Sequence, residues 1–418
     1  MPAPPAAMPQ PAARHFWVVA LGNGLEFYDF LVYAFFASQI GRSFFPGHSD
    51  GESLLLVLAT FGVGFLTRPL GGVVIGVMGD MKGRRPALIL SMGLMALATI
   101  GLALTPSYAM IGSAAPVVAI LFRLLQGFAL GGEVGPASAW LMEAAPANRR
   151  GLSVSLQFAS QWAAGLAAAL VAAALFESLD AQAMTDWGWR AALLIGALVM
   201  LPALWLRLRL PETLKQDAGM RIESAPVQMG RALAGLAMLS GGTIATYLLS
   251  YLTMFGGFSF NLPQSQGFWL ALACGTSGLL FNPLGGWLSD RLGRRTVIIG
   301  ALTLLLVLVL PCFEAIIAAR SSFVLLGGAA LMTAVLALAT PAMLTSLLEN
   351  LPPGGRSGGA GIVYGLAISL FGGTTQFAVS ALVDATESVM APAWYMAGGL
   401  IVGIAGGVLS RETNLKAG

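Results

Sequence analysis

The segment GVMGDMKGRR (76–85) recurs in the second half of the chain as GWLSDRLGRR (286–295), and each copy lies between two long apolar runs. Glycine, aspartate, glycine and paired arginine match in register, which predicts one structural unit used twice. The glycines permit a tight reversal between helices, and the arginines favour the cytoplasmic side of a membrane. The aspartate can accept hydrogen bonds from a neighbouring helix end. We therefore predict two conformational gating loops, built from Gly76, Asp80, Gly83, Arg84, Arg85, Asp290, Gly293, Arg294 and Arg295.

The composition is that of a polytopic helical membrane protein. Mean hydropathy is +0.80, and over 418 residues 57% are hydrophobic and only 10% are charged. The only histidines are His15 and His48, and the two cysteines, Cys274 and Cys312, lie in apolar runs without metal-ligand spacing. No candidate nucleophilic side chain is accompanied by a residue positioned to act as its general base. We therefore expect no catalytic residue, no metal, no cofactor and no nucleic-acid partner.

The hydropathy pattern predicts an all-α protein of twelve transmembrane helices in two pseudo-symmetric six-helix bundles around a central cavity. The expected domains are a cytoplasmic tail (1–15), an N-terminal bundle (16–210), a cytoplasmic linker (211–231), a C-terminal bundle (232–410) and a second tail (411–418). Most of the 22 Lys and Arg residues then lie on the side of both termini. Outer segments carry Arg42, Arg190 and Arg320, while Arg68 and Arg123 remain in the membrane, so both termini are expected to be cytoplasmic.

Five charged residues remain in the membrane once the loop charges are subtracted, all of them in the first half: Glu26, Asp29, Arg68, Arg123 and Glu133. A charge near the bilayer centre costs at least about 2.5–3.5 kcal/mol, so it normally faces a partner or a cavity. Ion pairs that merely join helices are one explanation, but they do not explain why the second half has no such residues.

These charges divide into two predicted roles. Burial raises the pKa of a carboxyl group and a nearby guanidinium lowers it, so an acid between arginine and a cavity can load and release a proton. Glu26, Asp29 and Glu133 are the candidate proton-coupling residues. Arginine keeps its charge and its planar fork suits a carboxylate, so Arg68 and Arg123 are the candidate substrate anchors.

Neutral polar residues add to the candidate substrate site. Gln157 and Gln161, like Tyr247 and Tyr251, are spaced i, i+4 and so share one face of a helix. Such side chains often only bridge helices, and that alternative stays open. The remaining candidates are Asn23 and Tyr28 in the first helix.

The repeated loop resembles the cytoplasmic signature loop of the major facilitator superfamily. Segments 22–46, 61–88, 123–135 and 187–196, with the later PET (211–213), resemble the metabolite:proton symporter family, whose members carry citrate, 2-oxoglutarate, shikimate, proline or betaine. TPSYAMIGSAAPVVAILFRLLQGF (105–128) and LQFASQ (156–161) are most similar to the citrate and tricarballylate branch. TYLLSYLTMFGG (246–257) in helix 7 departs from that branch, which leaves the exact substrate open.

By resemblance, the coupling groups are Asp29, Glu26 and Arg123, and the setting is a bacterial cytoplasmic membrane. The fifth predicted helix, which contains QWAAGLAAAL (161–170), lacks the Gly-Pro-x-x-Gly-Gly string of drug:proton antiporters, which favours symport. We therefore expect a monomeric proton-coupled symporter that imports a small organic anion, such as citrate or another tri- or dicarboxylate, by alternating access. One alternative is the same fold carrying shikimate or a zwitterion such as proline or betaine. Another is a channel or a sensor that binds the solute without transporting it.

Overall fold

The computed structural model describes residues 11–46, 56, 60, 62–214, 229–260 and 266–413, without the side chains of 253–260 and 266. This part of the chain forms twelve long helices: α1 Ala13–Phe35, α2 Arg68–Met81, α3 Arg84–Leu104, α4 Ala114–Ala144, α5 Arg150–Ser178, α6 Trp189–Arg207, α7 Met229–Phe260, α8 Gln266–Leu292, α9 Arg294–Ala319, α10 Ser322–Asn350, α11 Arg356–Ala367 with its continuation, and α12 Ala391–Leu409. α11 continues through a π-helical turn, Ile368–Gly372, into Gly373–Thr386.

Eleven of the helical spans in the described residues are long and apolar enough to cross a membrane. The exception is α2, whose described helix has 14 residues. Helical residues also precede it from 62 to 66, while most of 47–61, where the second span was expected to begin, lies outside the described residues. The predicted all-α membrane fold is confirmed. The predicted linker is described only at 211–214 and 229–231, and the domain boundaries stay predictions.

The two halves meet along two pairs of helices, α2 with α11 and α5 with α8. The backbones approach closely at glycines in both pairs. A Cβ atom added at Gly72 would lie 2.6 Å from the carbonyl carbon of Gly361, and one added at Gly286 would lie 2.4 Å from the carbonyl oxygen of Gly151. Small residues permit such close helix packing in membranes, so these positions hold the halves together at the end that carries the repeated loops. We call this the loop end.

At the opposite end, Arg190 fixes α6 against α3. Its Nη1 donates hydrogen bonds to the carbonyl oxygens of Ala103, 2.7 Å away, and Thr105, 2.6 Å away. The last carbonyls of a helix have no partner within the helix, and a cation there also complements the helix dipole. This contact gives the WGWR segment a structural role.

Candidate functional site

All five charged residues predicted inside the helices are buried: Glu26, Asp29 and Glu133 have no exposed surface, Arg123 is 1% exposed and Arg68 is 3% exposed. They come from three helices, because α1 carries Glu26 and Asp29, α2 begins at Arg68, and α4 carries Arg123 and Glu133. Their contacts divide them into two groups.

The first group is the arginine pair, Arg68 and Arg123. The guanidinium carbon of Arg68 lies 4.7 Å from the ring centre of Phe30 and 4.3 Å from that of Phe65, and Arg123 lies 4.0 Å from that of Tyr33. These aromatic faces stabilise the cations. They offer no oxygen acceptor to the N–H groups of the guanidinium. Nε and Nη2 of Arg68 are buried without a hydrogen-bond partner among the described residues. Buried guanidinium nitrogens without an acceptor are costly, and they are suited to bind an anion.

A hydrogen-bonded relay connects Arg123 to Asp29. Arg123 Nη1 donates to Gln126 Oε1 at 2.7 Å, Gln126 Nε2 donates to Thr99 Oγ1 at 3.0 Å, and Thr99 Oγ1 donates to Asp29 Oδ2. The other carboxylate oxygen, Oδ1, has no partner in the described part of the chain. A change in the charge of Asp29 therefore reaches Arg123 through two neutral side chains.

The second group contains Glu26, Glu133 and an arginine that the sequence analysis placed elsewhere. Arg207, at the end of α6, was counted with the cytoplasmic charges, but it has no exposed surface, so the count of two intramembrane arginines is wrong. Its two terminal nitrogens donate to the two carboxylate oxygens of Glu133, and Ser91 Oγ donates to Glu133 Oε2 at 2.6 Å. The position of Arg207 at a helix end does not reveal, in the sequence, that its side chain points inward to Glu133 on α4.

The neutral polar candidates Gln157, Gln161 and Asn23 form hydrogen bonds between helices. Gln161 Nε2 on α5 donates to Asn23 Oδ1 on α1 at 3.1 Å, and Ser138 Oγ on α4 donates to Gln157 Oε1 at 2.7 Å. Gln157 and Gln161 therefore each join α5 to a neighbouring helix.

Tyr247 brings the second half to the arginine pair. Its ring centre lies 5.8 Å from that of Phe65, and its hydroxyl interacts with Arg68. Tyr364 on α11, which the sequence analysis did not single out, lies in the vicinity of Arg68, Tyr247 and Gln161. Ser369 Oγ on the π-helical turn donates to the Phe65 carbonyl at 2.6 Å. The side chains that the second half brings near the arginine pair, Tyr247, Tyr364 and Ser369, are thus polar but uncharged.

Two of the predicted tyrosines lie away from this group. Tyr28 is buried among apolar side chains, and its hydroxyl donates to the Ala192 carbonyl on α6 at 3.0 Å. The Tyr28 ring, like the Asp29 carboxylate, lies beside Gly196 of α6, and the place of Tyr28 in the substrate site stays a prediction. Tyr251 packs half-buried against the large apolar core of the second half.

At the loop end, the two repeated loops join the halves reciprocally. Asp80 accepts hydrogen bonds from the backbone nitrogens of Ser357, at 2.9 Å, and Gly358, at 2.8 Å, in the first turn of α11. Asp290 accepts from the nitrogens of Gly151 and Leu152 in the first turn of α5, both at 2.8 Å. Each aspartate therefore binds the positive end of a helix in the other half.

The first arginine of each loop holds its aspartate in place. Arg84 contacts Asp80 and also Glu143 at 2.9 Å. Arg294 contacts Asp290 at 2.6 Å and Glu349 at 3.3 Å. These two glutamates also bind across the halves.

Arg356 lies 3.1 Å from Glu143, and Arg150 lies 3.5 Å from Glu349. The sequence analysis missed these four residues, although the spacing Glu-x6-Arg (143 to 150 and 349 to 356) repeats in the two halves. The repeat was the available signal.

A second repeated acid supports each loop from outside the membrane helices. Glu212 accepts from the backbone nitrogens of Arg84, at 2.9 Å, and Arg85, at 3.1 Å. Glu412 accepts from those of Arg294 and Arg295, both at 2.9 Å. The glycines before the arginine pairs, Gly83 and Gly293, have φ values of 112° and 101°, which side chains rarely adopt. Glu412-Thr413 repeats the Glu-Thr of the PET segment and was also missed.

Comparison with known proteins gives concordant matches. Residues 19–374 match the model of the Major Facilitator Superfamily. The chain is 35% identical over 395 residues to a citrate-proton symporter of Klebsiella pneumoniae, covering 92% of this chain and 89% of the relative. It is 30% identical to the alpha-ketoglutarate permease of Escherichia coli K12, covering 88% of each, and 31% identical to the proline/betaine transporter of the same strain, covering 94% of this chain and 82% of the relative.

Among solved structures, the proton:xylose symporter XylE bound to 6-bromo-6-deoxy-D-glucose superposes with a TM-score of 0.78 at 17% identity and covers 96% of both chains. At that identity the likeness concerns the fold.

Proposed function

Because the chain belongs to the Major Facilitator Superfamily, we propose that it is a proton-coupled symporter that imports a small organic anion with two or more carboxylates, such as citrate, by alternating access. It is a multi-pass membrane protein and not an enzyme. The observation that carries the proposal is the buried guanidinium of Arg68, whose Nε and Nη2 have no acceptor among the described residues, beside Arg123.

Charge balance supports an anionic solute. Arg68 and Arg123 bring two positive charges to this group, while Asp29 is the acid connected to them through the relay. When Asp29 is ionised, one positive charge remains uncompensated, and when it is protonated, two remain. A di- or tricarboxylate then binds the arginine pair by charge-assisted hydrogen bonds.

The same arrangement couples the proton to the solute. Protonation of Asp29 from the outside leaves both arginines available, so the anion binds and the halves rock. Loss of the proton inside restores the negative charge, which competes with the solute for Arg123 through Gln126 and Thr99. The solute is thereby released inward. The proton gradient drives the cycle, and we expect no cofactor.

The loop end is the proposed gate on the cytoplasmic side. Because basic residues of loops favour that side, we infer that both termini lie in the cytoplasm of a bacterial cell and that the protein lies in its inner membrane. Contacts between Asp80 and α11, and between Asp290 and α5, hold the gate closed. Opening requires both sets to separate. We expect the monomer to be the working unit.

A solute screen tests the proposal. Purified protein is heated with citrate, 2-oxoglutarate, succinate, shikimate, proline or betaine at two pH values, and uptake into proteoliposomes is measured with the same competitors. A bound solute at 100 times its Kd stabilises the protein by about 2.7 kcal/mol. We expect a di- or tricarboxylate to raise the melting temperature and compete for uptake. Stabilisation by proline or betaine alone would refute the anion assignment.

The relative that carries proline and betaine makes a zwitterion the alternative solute. An aromatic cage for a quaternary amine needs open ring faces. Here Arg68 lies against Phe30 and Phe65, and Arg123 lies against Tyr33. Since guanidinium groups occupy these faces, the geometry favours the carboxylate.

The gate gives a prediction in which neighbouring arginines differ. The Arg84 side chain is fully buried and binds Asp80 and Glu143, whereas Arg85 binds Glu212 through its backbone nitrogen. Charged hydrogen bonds contribute about 1.5–3 kcal/mol each. We therefore expect Arg84→Ala to weaken the closed gate and lower turnover about tenfold with little change in KM, measured as initial uptake rates in proteoliposomes.

Arg85→Ala is the matched control for this change, because it removes the same charge from the same loop. Among the described residues the half-buried Arg85 side chain forms no ion pair, so we assign the gate to Arg84 of the two predicted arginines. Arg85→Ala should therefore keep a turnover within about twofold of the unmodified protein. A loss of affinity alone in Arg84→Ala would contradict the gating role of the loop.

A further inference from the structure

A shallow cleft opens at the loop end of the second half, where α7 begins and where α10 and α12 end. Arg231 of α7, Asn350 of α10 and Arg411, which follows α12, line it together with apolar side chains of the three helices. Its interior volume is about 10 Å³, which is room for a single oxygen atom the size of water. A ligand of this cleft therefore places one oxygen inside and lies across the mouth.

The two arginines of the cleft have no partner acid in the described part of the chain. Nη1 of Arg231 donates to a backbone carbonyl of α10 at 3.3 Å, and its Nε is buried without a hydrogen-bond partner among the described residues. The acids nearest in sequence to the cleft, Glu349 and Glu412, are instead bound to Arg294 of the repeated loop. The cleft thus offers the positive charges of Arg231 and Arg411 to a ligand.

The first half closes the corresponding junction with an indole. Trp140 on α4 has no exposed surface, and its Nε1 donates to the Pro211 carbonyl after α6 at 2.9 Å. The Glu-x6-Arg repeat places Ser346 at the position equivalent to Trp140, and the Glu-Thr repeat places Arg411 at that equivalent to Pro211. In the second half, Asn350 Nδ2 reaches the Arg411 carbonyl at 3.4 Å. An open cleft with basic side chains therefore takes the place of a closed aromatic contact.

Exposed apolar side chains lie beside the cleft on the same helices. Met229 and Leu233 of α7 are 70% and 55% exposed, and Leu409 of α12 is 74% exposed. An inorganic anion gains nothing from these side chains, whereas hydrocarbon chains remove them from water. The ends of spanning helices lie where hydrocarbon gives way to headgroups, so the arginines and the apolar side chains face the two parts of a lipid.

We propose that the cleft binds an anionic phospholipid, with a phosphate oxygen between Arg231 and Arg411 and the acyl chains along the exposed apolar side chains of α7 and α12. Basic pockets between membrane helices bind such headgroups, and guanidinium groups suit the oxygens of a phosphate. The lipid connects the start of α7 to the ends of α10 and α12. The proposal rests on the cleft, its charges and its apolar surroundings, and it does not depend on the proposed solute or on proton coupling.

Native mass spectrometry of the full chain tests the proposal. Purified protein in detergent is titrated with dioleoylphosphatidylglycerol, with dioleoylphosphatidylcholine and with inorganic phosphate, and the bound molecules are counted. We expect one phosphatidylglycerol to bind at least about tenfold more tightly than phosphatidylcholine, because two arginines meet its net negative charge. The double variant Arg231→Gln, Arg411→Gln should lose this preference and keep its elution volume in size-exclusion chromatography.

The double variant Arg209→Gln, Arg291→Gln is the matched control, because it removes two charges from the same end of the molecule. These arginines lie on tryptophan rings outside the cleft, with guanidinium carbons 3.7 Å and 4.2 Å from the ring centres. The control should keep the preference for phosphatidylglycerol. Equal binding of the two lipids by the unmodified protein, or a preference that survives when the arginines of the cleft are replaced, would overturn the proposal. Tight binding of inorganic phosphate with no preference between the lipids would also overturn it.

Hydrogen exchange of the unmodified protein gives a second measurement that needs no substitution. In nanodiscs that contain phosphatidylglycerol, backbone amides of 229–238 and 407–413 should exchange more slowly than in nanodiscs of phosphatidylcholine alone. The equivalent end of the first half, 207–213, should exchange equally in both. If the variant of the cleft does not fold, this comparison decides, and equal exchange at the cleft in the two lipids would refute the site.

Discussion

Arg123→Ala should abolish solute uptake. The guanidinium lies against Tyr33, is 1% exposed and is the first member of the relay that ends at Asp29. Its replacement removes both an anchor for the solute and the connection to the proton. A charged hydrogen bond contributes about 1.5–3 kcal/mol, so we expect kcat/KM to fall at least about 100-fold, or about 2.7 kcal/mol, in uptake assays with proteoliposomes.

Arg209→Ala is the matched control, because Arg209 is exposed near the end of α6, where it packs on Trp205. It loses the same charge far less deeply in the protein and should transport normally. Arg123→Lys should recover only part of the activity, since an ammonium group keeps the charge but lacks the planar fork. Unchanged uptake in Arg123→Ala would remove this residue from the site.

Asp29→Asn should uncouple the solute from the proton. Asparagine is permanently neutral, so it resembles the protonated acid and leaves the arginine pair available on both sides of the membrane. We expect exchange of internal for external solute to continue while accumulation driven by a pH gradient disappears. One pH unit corresponds to about tenfold accumulation for each coupled proton, and the variant should accumulate none.

The experiment measures net uptake and exchange separately, with and without an imposed gradient. Asp384→Asn, an exposed position near the end of α11, makes the same chemical change outside the site and should remain coupled. Normal gradient-driven accumulation in Asp29→Asn would place the coupling step on another residue.

The features that repeat along the chain were predictable from the sequence. The twelve-helix fold follows from the lengths of the apolar runs, and the two loops that join the halves follow from two copies of one string. Their gating role stays a prediction. The same reasoning would have found Glu143, Glu349 and Glu412, because their spacing to arginine or threonine also repeats. These acids were missed since a single glutamate near a helix end looks like an ordinary loop residue.

Contacts between helices distant in sequence were not predictable in this way. Hydropathy assigned Arg207 to the cytoplasm, because a basic residue at the end of an apolar run normally faces water. The partner that holds it inside, Glu133, lies on α4, and no pattern along α6 indicates it. Thr99 was missed for a similar reason, since its role appears only when α3 and α1 are packed together.

Away from the loop end, the buried charges of the described residues all belong to the first half, and the groups that α7 and α11 bring near the arginine pair are the phenols of Tyr247 and Tyr364. This division separates the energy source from the choice of cargo. In the proposed cycle, substitutions at Tyr247 and Tyr364 would alter the size and hydrogen-bonding pattern that a solute must have, while the acid proposed to carry the proton stays in its original surroundings. A family built on this plan can therefore diversify in what it imports and keep one means of driving it.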